Sequence, residues 1–563
     1  MNRLNDPRLQ TLTEWTEKND HAISVTGLSG TALIYFFAET LTRVNRPCLA
    51  ILPDRKEASK AFKELRFFLE DPDVYGEDSH SIRFHHFPAY DMSPLMGLSP
   101  QRDIIAARIR ALYMLISEKN AVVITSPEAI CFNLLPKESL LESLEYLETG
   151  EEIDREALIR RLEMNGYQRT SLVEEMGDYS VRGGVIDLFS PLHPLPVRLE
   201  FWGDHLESIR EFDPANQRSR NPLAEIILLP ASEVIVNARN LQRARSMGRL
   251  PLQPEDAVGF PGQEAWLNHY YSQLNSLIEY LPGNGMLSIF DPHQLKPRIA
   301  KIEKKFRKDE ERFRRESAEK GAPFPTTEGL LLSFGEISRQ MDQRARMTFS
   351  ELDMGLVDEA HNKLSFTGNY HPEIDLEVRH ETKGRVSLAP LAEKISERLE
   401  SRSRVVITCS TEQQADRLQE ILKNYHVEVN HVVQKWNQIP DKPGLSICMG
   451  RISSGFSWPE TGLYVISENE IFGPKTAGTG SRKRSPRKAL SWSSLSQLKK
   501  GDFVVHEDHG IGRYQDLATL DIGGRTHDLV IVEYADKAKL YIPAERMSIL
   551  QKYAGADERS PKL

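Results

Sequence analysis

The chain has 563 residues, a formal net charge of −9, and 40% hydrophobic against 27% charged residues. This composition is typical of a soluble globular protein of about three to five domains. No apolar run approaches the ~20 residues that span a bilayer, and no signal segment opens the chain, so we expect a cytoplasmic protein without a membrane partner. The acidic balance excludes a general nucleic-acid coat, and any DNA contact has to be local. The four cysteines lack CxxC spacing, which predicts neither a zinc site nor a disulfide framework.

The first 149 residues alternate strand-like and helix-like patterns, which indicates a parallel sheet with helices on both faces. The pattern resumes over residues 233–350, so residues 150–232 are predicted as an inserted α+β domain of a multidomain α/β protein. The predicted elements are strands at 22–25, 48–52, 121–125 and 285–291, helices at 32–43 and 56–69, and a helix opening at Ser99-Pro100 with Ser99 as its N-cap.

The inserted domain contains two runs of alternating apolar and polar residues, 184–189 and 197–202, bounded by turn residues. They predict short strands of a small antiparallel sheet. Taken alone, the pattern favours a β-rich domain whose charges only solvate its outer face. However, residues 166–218 resemble the second domain of the UvrB-type excision-repair helicases, the part that docks onto the damage sensor UvrA. The resemblance implies that Arg182, Arg198 and Trp202 face UvrA, because Arg pairs bidentately with carboxylates and an exposed Trp is a frequent interface anchor.

Residues 23–32 stand where the UvrB-type helicases carry a strand, a P-loop and a helix. Gly27 and Gly30 remain, but Thr31 and Ala32 occupy the positions of the Lys and the Ser/Thr of a GxxxxGK[ST] motif. That Lys neutralises phosphate charge and that hydroxyl binds Mg²⁺. A degenerate P-loop without nucleotide, metal or catalytic residues is therefore predicted.

Two other segments bear on this interpretation. Residues 289–293 resemble an acidic Mg²⁺-binding box that lacks its catalytic Glu, whereas the DEAH tetrapeptide at 358–361 has no clear apolar strand before it and is interpreted as chance. The resemblance thus implies UvrB-like domains 1a (1–149), 2 (150–232) and 1b (233–350) around an eroded ATP site.

The middle of the chain is dominated by charge and then by a further α/β pattern. Residues 301–320 predict a helix whose mixed charges can pair along one face, which favours a solvated helix over a nucleic-acid-binding one. A small α/β domain is predicted at 383–468, with strands at 405–409, 427–433, 445–449 and 462–467. Residues 469–495 read as a basic flexible linker, and a solubilising role is favoured over contact with DNA phosphates.

The last domain, 496–555, is predicted as five short strands with glycine turns, followed by a helix at 544–553; this is a small β-barrel of the CarD or Tudor type. His506 and His509 lie in a turn and predict no metal site. The segment resembles the RNA-polymerase-interacting module of CarD-type regulators and of coupling factors, which docks on the polymerase β subunit by strand pairing. Edge-strand addition would supply the affinity, and we expect the contact around Leu517, Leu520 and Leu529.

The order of these parts resembles the transcription-repair coupling factors. The resemblance implies the N-terminal part of such a factor, with residues 556–563 starting a linker to an ATP- and Mg²⁺-dependent DNA translocase beyond this chain. It implies a monomer that binds stalled RNA polymerase and recruits UvrA, with DNA bound mainly by the translocase. A CarD-type transcription regulator and a nucleic-acid-dependent ATPase remain the alternatives. Charge reversal of Arg182 and Arg198 is expected to abolish UvrA binding and to leave the fold intact.

Overall fold

The sheets and helices follow the chain in four successive units. None of the described helices is long and apolar enough to cross a membrane. The DEAH tetrapeptide, residues 473–495 of the predicted linker, and residues 556–563 lie outside the described part of the chain. The computed structural model describes residues 6–18, 22–44, 46–69, 82–248, 250–251, 259–352, 362–366, 370, 388–472, 500–506, 510–522, 525–534, 538–543 and 550–552.

The N-terminal region forms strands where short apolar runs are bounded by turns, and each strand is followed by a helix. Its fourth helix begins at Arg102, so the prediction that Ser99 caps it was wrong. Ser99 Oγ donates to Glu264 Oε2 at 3.0 Å and accepts the Gly262 N–H at 3.0 Å, which ties it to a different segment. The elements are α1 (Pro7–Lys18), β1 (Ala22–Thr26), α2 (Gly30–Leu41), β2 (Cys48–Ile51), α3 (Arg55–Leu69), β3 (Arg83–His86), α4 (Arg102–Ser117), β4 (Ala121–Thr125), α5 (Pro127–Ile130), α6 (Lys137–Glu142) and β5 (Glu145–Glu148).

The inserted domain is a six-stranded sheet in the order β11-β10-β9-β8-β7-β6, antiparallel except between β6 and β7. Apolar side chains that alternate along β7 to β10 pack with Leu158 and Leu162 of the preceding helix and with the β5–β12 pair. The other side of these strands is open to solvent near β9. The elements are α7 (Arg155–Met164), β6 (Gln168–Arg169), β7 (Asp178–Arg182), β8 (Val185–Leu188), β9 (Val197–Trp202), β10 (His205–Phe212), β11 (Ser219–Leu223) and β12 (Glu225–Leu228).

The chain then returns to the first sheet. That sheet has the order β15-β1-β14-β13-β2-β4-β3, and every pair in it is parallel. Strands before and after the inserted domain therefore share one sheet and one unit. The elements of this return are α8 (Ala238–Met247), α9 (Leu267–Tyr270), α10 (Leu277–Tyr280), β13 (Met286–Phe290), α11 (Pro292–Glu319), α12 (Phe334–Asp342), β14 (Ala345–Ser350) and β15 (Asn362–Ser365).

The third unit is a sheet in the order β17-β18-β16-β20-β19, parallel except for the β19–β20 pair. Its first helix was not predicted, and its last helix occupies residues 468–472, where the linker was expected to begin at 469. Of the strand predicted at 427–433, only residues 431–433 are extended in the sheet. The elements are α13 (Ala389–Glu400), β16 (Arg404–Cys409), α14 (Glu412–Asn424), β17 (His431–Val433), β18 (Gly444–Met449), β19 (Phe456–Trp458), β20 (Leu463–Ser467) and α15 (Glu468–Phe472).

The last unit is an antiparallel sheet in the order β24-β23-β22-β21-β25. The predicted helix at 544–553 was wrong where it is described, because residues 550–552 pair with β21; residues 544–549 and 553 lie outside the described part. Strands β24 and β25 stand at the two ends of the order, and no pairing among the described strands closes a barrel. The elements are β21 (Phe503–His506), β22 (Gly510–Ile522), β23 (Arg525–Glu533), β24 (Lys539–Pro543) and β25 (Leu550–Lys552).

The first and third units share one hydrophobic core. Tyr35 of α2 lies 5.1 Å from Phe456 and 5.5 Å from Trp436, measured between ring centroids. Trp458 stacks on Phe36 at 6.0 Å, and its Nε1 donates to Asp6 Oδ2 at 3.0 Å. Aromatic pairs at these separations stabilise beyond their buried area. The third unit is therefore packed onto the helix that follows the P-loop position.

A buried ion pair joins helix α4 to the segment that leaves the inserted domain. Arg108 Nε lies 2.5 Å from Glu233 Oε1, and both side chains are fully buried. Tyr90 donates its hydroxyl to Glu233 Oε2 at 2.8 Å, and the Arg108 guanidinium lies 4.1 Å from the centroid of the Tyr90 ring. Breaking a buried pair leaves an uncompensated charge, so this contact fixes the exit of the inserted domain.

Glu264, close to this pair, predicts a pH dependence of stability. Burial raises the pKa of Glu264 from its ordinary value of 4.5 to about 7. The folded state then binds a proton that the unfolded chain releases, so this contribution is complete below pH 4.5 and is lost as the pH rises through about 7. We expect Glu264→Gln to reduce the fall in the free energy of unfolding between pH 5 and pH 8, measured by urea denaturation. Glu311→Gln, at an exposed site, is the control; equal pH dependence in all three proteins would contradict the assignment.

Candidate functional site

The open side of the inserted sheet gathers the predicted docking residues on neighbouring strands. Directly opposite residues of an antiparallel pair point to the same face, and Asp187 lies opposite Arg198. Alternation along β9 turns Val197, Leu199 and Phe201 into the core, so Arg198, Glu200 and Trp202 lie on the outer side. We call this side, with Arg182 at the end of β7 and Asp187 on β8, the open face.

Two arginines of the open face converge on one buried carboxylate. Arg198 Nε donates to Asp187 Oδ1 at 2.7 Å and its NH2 donates to Oδ2 at 3.0 Å. Arg182 NH2 donates to the same Oδ2, also at 3.0 Å. The hydrogen bonds to Asp187 raise the pKa of Arg198, and the guanidinium lies 5.1 Å from the Phe212 ring centroid. The Asp187 side chain is 1% exposed, and these donors supply the hydrogen bonds that a buried carboxylate requires.

The two arginines differ in what they leave for a partner. The Arg198 side chain is 19% exposed, and its remaining nitrogen donates to Ser219 Oγ at 3.3 Å. The Arg182 side chain is 53% exposed and makes a single ion pair. Arg198 therefore serves mainly to neutralise Asp187, whereas Arg182 has donors that face solvent. This geometry argues against the expectation that reversing both charges leaves the fold intact, because two carboxylates would meet Asp187.

Trp202 is the most exposed large hydrophobic side chain in the described part of the chain, at 78%. It ends β9, opposite His205 across the tight turn at Gly203, where φ is +67°. An indole that stays in water contributes no burial energy to the fold. The placement of Trp202 therefore fits an anchor for another molecule.

The sequence interpretation missed Asp187 and Phe212, which hold the arginines in place. Asp187 sits in an otherwise apolar strand run, Val185–Leu188, and an acid in a buried strand is the signal that could have identified it. Phe212 belongs to a separate small cluster with Val173 and Phe189 that covers one end of the sheet. Only the register of the strands brings these residues to Arg198.

The P-loop position is occupied by contacts within the protein. Gly27 and Gly30 both have positive φ, +91° and +56°, yet a Cβ at Gly27 would lie 1.9 Å from the Phe366 carbonyl oxygen. The Thr31 hydroxyl donates to Glu64 Oε1 at 3.2 Å and lies 3.1 Å from Ser454 Oγ of the third unit. The residue that stands for the phosphate-binding Lys is thus buried in an interface.

The cavity beside this position has the wrong charge for a polyphosphate. It measures about 250 Å³ and is lined by Ser29, Gly30 and Asp291 together with other side chains. Its two cations are ion-paired: Arg298 with Asp54 at 3.0 Å and Lys60 with Glu57 at 3.5 Å. Asp291 and Glu351 leave the lining net negative, and burial raises the pKa of Asp291. The residues present do not fit ATP with Mg²⁺, which needs a Lys and backbone N–H groups around the phosphates.

In the last unit, strand β22 is longer than its partner β21. Residues 510–513 pair with β21, but from Asp516 to Ile522 the strand pairs with β23 alone among the described strands. The register between β22 and β23 is irregular between Tyr514 and Asp516, just after the pairing with β21 ends. The second half of β22 therefore presents an open backbone edge.

The three predicted leucines of this unit divide into two groups. Leu517 and Leu520 lie on the open half of β22, and the Leu517 side chain is 38% exposed. Leu529 does not belong with them: it lies in β23, between β22 and β24, and is 3% exposed. The structure separates it from the other two leucines, because its backbone is paired on both sides and its side chain is buried.

Three domain families match the chain, each on one of these units. The families are the UvrB interaction domain at residues 146–234, the MFD, D3 domain at 399–471, and the CarD-like/TRCF RID domain at 498–554. The first contains the open face and the third contains the open edge of β22. The fold and its sites thus define a multidomain protein that combines a UvrB interaction domain with a CarD-like module.

Curated relatives agree over nearly the whole chain. The transcription-repair-coupling factor of Myxococcus xanthus is 30% identical over 568 residues, and that of Bacillus subtilis (strain 168) is 27% identical over 573; each alignment covers 95% of this chain. The Haemophilus influenzae factor is 25% identical over 97% of this chain. The chain is thus similar to the transcription-repair-coupling factors over nearly its whole length. It spans somewhat under half the length of these relatives, 45% to 46%.

The Asp187 geometry predicts unequal effects of removing the two arginines. We expect Arg198→Met to lower the stability of the inserted domain by about 3 kcal/mol, since it leaves a buried carboxylate with one donor. Arg182→Met is expected to cost less than about 1 kcal/mol, because its pair is half exposed. Hydrogen exchange of the β7–β9 amides measures both values. Adding Asp187→Leu to Arg198→Met should recover most of the loss; no recovery would mean that Arg198 acts through its packing on Phe212 instead.

Proposed function

We propose that this chain is the docking portion of a transcription-repair coupling factor. In this proposal the inserted domain binds UvrA through the open face, and the last unit binds the RNA polymerase β subunit through the open edge of β22. The observation that carries it is the pairing of a 78% exposed Trp202 with the solvent-facing donors of Arg182, inside a domain that matches the UvrB interaction domain. Polymerase stalled at a lesion would thereby be linked to the first step of excision repair on the transcribed strand.

The UvrA contact would combine one apolar anchor with one charged clamp. Trp202 supplies a large rigid surface at low conformational-entropy cost, and Arg182 can pair with a carboxylate through the nitrogens that Asp187 leaves unused. Arg198 contributes by pairing with Asp187, which leaves Arg182 with donors that face solvent. Its role in binding is positional.

The polymerase contact would form by strand addition. The unpaired N–H and C=O groups of β22 from Asp516 to Ile522 are a template for another strand, and Leu517 projects beside them. The match of residues 498–554 to the CarD-like/TRCF RID domain supports this assignment. A pure CarD-type regulator is the second candidate, favoured by that match alone; it would leave the open face without a partner.

We also propose that the chain itself is not an ATPase. The negatively charged cavity beside Gly30 and the engagement of Thr31 by Glu64 support this. The ATP- and Mg²⁺-driven translocation of the family would then depend on a motor outside these 563 residues. The chain would act as a cytoplasmic monomer that brings two partners together.

The UvrA proposal is tested by truncating the two exposed contacts. We expect Trp202→Ala to weaken binding to purified UvrA about 30-fold, which corresponds to about 2 kcal/mol, and Arg182→Ala to weaken it about tenfold. Isothermal titration calorimetry measures both. Tyr425→Ala, at an exposed aromatic of the third unit, is the matched control and should keep the affinity. Wild-type affinity in all three variants would reject the open face, and absence of UvrA binding by the wild type with intact polymerase binding would favour the regulator.

The polymerase proposal is tested by comparing two edges of the same sheet. Leu517→Glu places a charge beside the open half of β22, and we expect it to weaken binding to the polymerase β subunit by about 10- to 100-fold. Tyr541→Glu does the same on the opposite edge strand, β24, where Tyr541 is 46% exposed, and should bind as the wild type does. Surface plasmon resonance with immobilised polymerase measures both. The reverse ranking would place the contact on β24.

The absence of nucleotide binding is tested by equilibrium titration with a fluorescent ATP analogue and Mg²⁺. We expect no saturable change up to millimolar concentration, because no free cation of the cavity lining meets the phosphates. Saturable binding in the micromolar range that is lost in Gly30→Asp would overturn this part of the proposal and favour the ATPase alternative. The signal of the analogue with an unrelated P-loop ATPase serves as the positive control.

A further inference from the structure

Helix α11 carries a continuous row of cations on its solvent side. Successive residues of an α-helix are about 100° apart, so residues at spacings of three, four and seven share a face. Leu295, Ile299, Phe306 and Phe313 form the buried side of α11. The opposite side consists, between residues 301 and 315, of exposed basic residues within an arc of about 100°. This basic stripe is formed by Lys301, Lys304, Lys305, Lys308, Arg312 and Arg315.

The acidic residues of the helix do not neutralise the stripe. Glu316 pairs with Arg312 at 3.1 Å, and Glu310 pairs with Arg314, which lies outside the arc. The other five cations of the stripe have no ion pair with any described residue. Of the ion pairs expected along residues 301–320, the described residues form these two, at the flank of the stripe. The stripe is thus a local concentration of positive charge on a chain whose net charge is −9.

Like charges lie side by side within the stripe. Six pairs of its cations are three or four residues apart, the spacing at which like charges repel on a helix: 301–304, 301–305, 304–308, 305–308, 308–312 and 312–315. Asp309, Glu311, Glu316 and Glu319 lie at the same spacings from its cations and offset part of this repulsion. The buried side anchors the helix, so the cations cannot move apart by unfolding it locally without exposing Phe306 and Phe313. A polyanion along the stripe would remove this repulsion.

We propose that the basic stripe of α11 binds the sugar-phosphate backbone of duplex DNA without sequence preference. Its six cations cover about 21 Å of helix, a length over which each strand of DNA presents about six phosphates. Four of the six are lysines, whose flexible, strongly hydrated charges suit phosphate contact without base readout. The stripe shares no residue with the open face or with the open edge of β22.

The test is a fluorescence anisotropy titration of the full chain with a fluorescein-labelled 20-base-pair duplex. A straight helix contacts a curved duplex over part of its length, so we expect three or four phosphates to be neutralised. The logarithm of affinity should then fall with the logarithm of salt with a slope of about −3, a loss of about 60-fold between 50 and 200 mM. The Kd expected at 50 mM salt is in the micromolar range.

The decisive variant changes Lys301, Lys304, Lys305 and Lys308 to Gln, which keeps helix propensity. We expect at least a tenfold loss of affinity at 50 mM salt and a slope near −1. The matched control changes four exposed lysines elsewhere, Lys56, Lys119, Lys423 and Lys442, to Gln; it has the same net charge and should bind as the wild type does. Equal loss in both variants would mean a net-charge effect, and no loss in the first would assign any binding to another segment; either result, or absence of duplex binding by the wild type, overturns the proposal.

Discussion

The burial of Arg108 against Glu233 is the constraint on which the placement of the inserted domain depends. A fully buried ion pair tolerates no change in the separation of its partners, because either charge alone would be strongly destabilising. Two more arginines of helix α4 reach the same domain: Arg102 pairs with Asp178 at 2.6 Å, and Arg110 donates to the Pro191 carbonyl at 2.6 Å. One helix of the parallel sheet thus holds the inserted domain and its exit segment at three points.

The segment from Gly27 to Thr31 lies in an interface between the first and third units. In a phosphate-binding loop the positive-φ glycines and the start of the helix must remain accessible, whereas here Phe366 covers Gly27 and the Ser453–Ser454 segment meets Thr31. Ser453 N–H also donates to Glu64 Oε1 at 2.7 Å, so Glu64 accepts from both units. A Lys at position 31 would have to be buried in this contact. The packing of the third unit and the absence of the Lys are therefore consequences of one arrangement.

Short-range patterns were enough to predict the parallel sheet and most strands, but not the pairings across units. Strand β4 coincides with the predicted 121–125 because a continuous apolar run between turns has few alternatives. The helix expected after Pro543 failed at residues 550–552 because β21 offers an unpaired edge, a tertiary contact that overrides local propensity. The position of Leu529 was not predictable for a related reason: the sequence shows an alternating strand but does not show that neighbouring strands lie on both of its sides. Asp187 could not be linked to Arg182 and Arg198 before the register of β7, β8 and β9 was known.

The arginines and lysines of the chain differ in how many of their donors have partners within the fold. Arg108 donates to Glu233 and to the Pro88 carbonyl, and Arg198 donates to Asp187 and Ser219. The guanidinium groups of both residues are therefore paired within the fold. Arg182 donates one hydrogen bond to Asp187, and its half-exposed side chain leaves other donors facing solvent. Among the described residues, Lys301, Lys304, Lys305 and Lys308 of the basic stripe have no ion pair, and they lie close enough to repel one another. Exposed cations without a partner in the fold are therefore the groups on which the proposed contacts with other molecules are based.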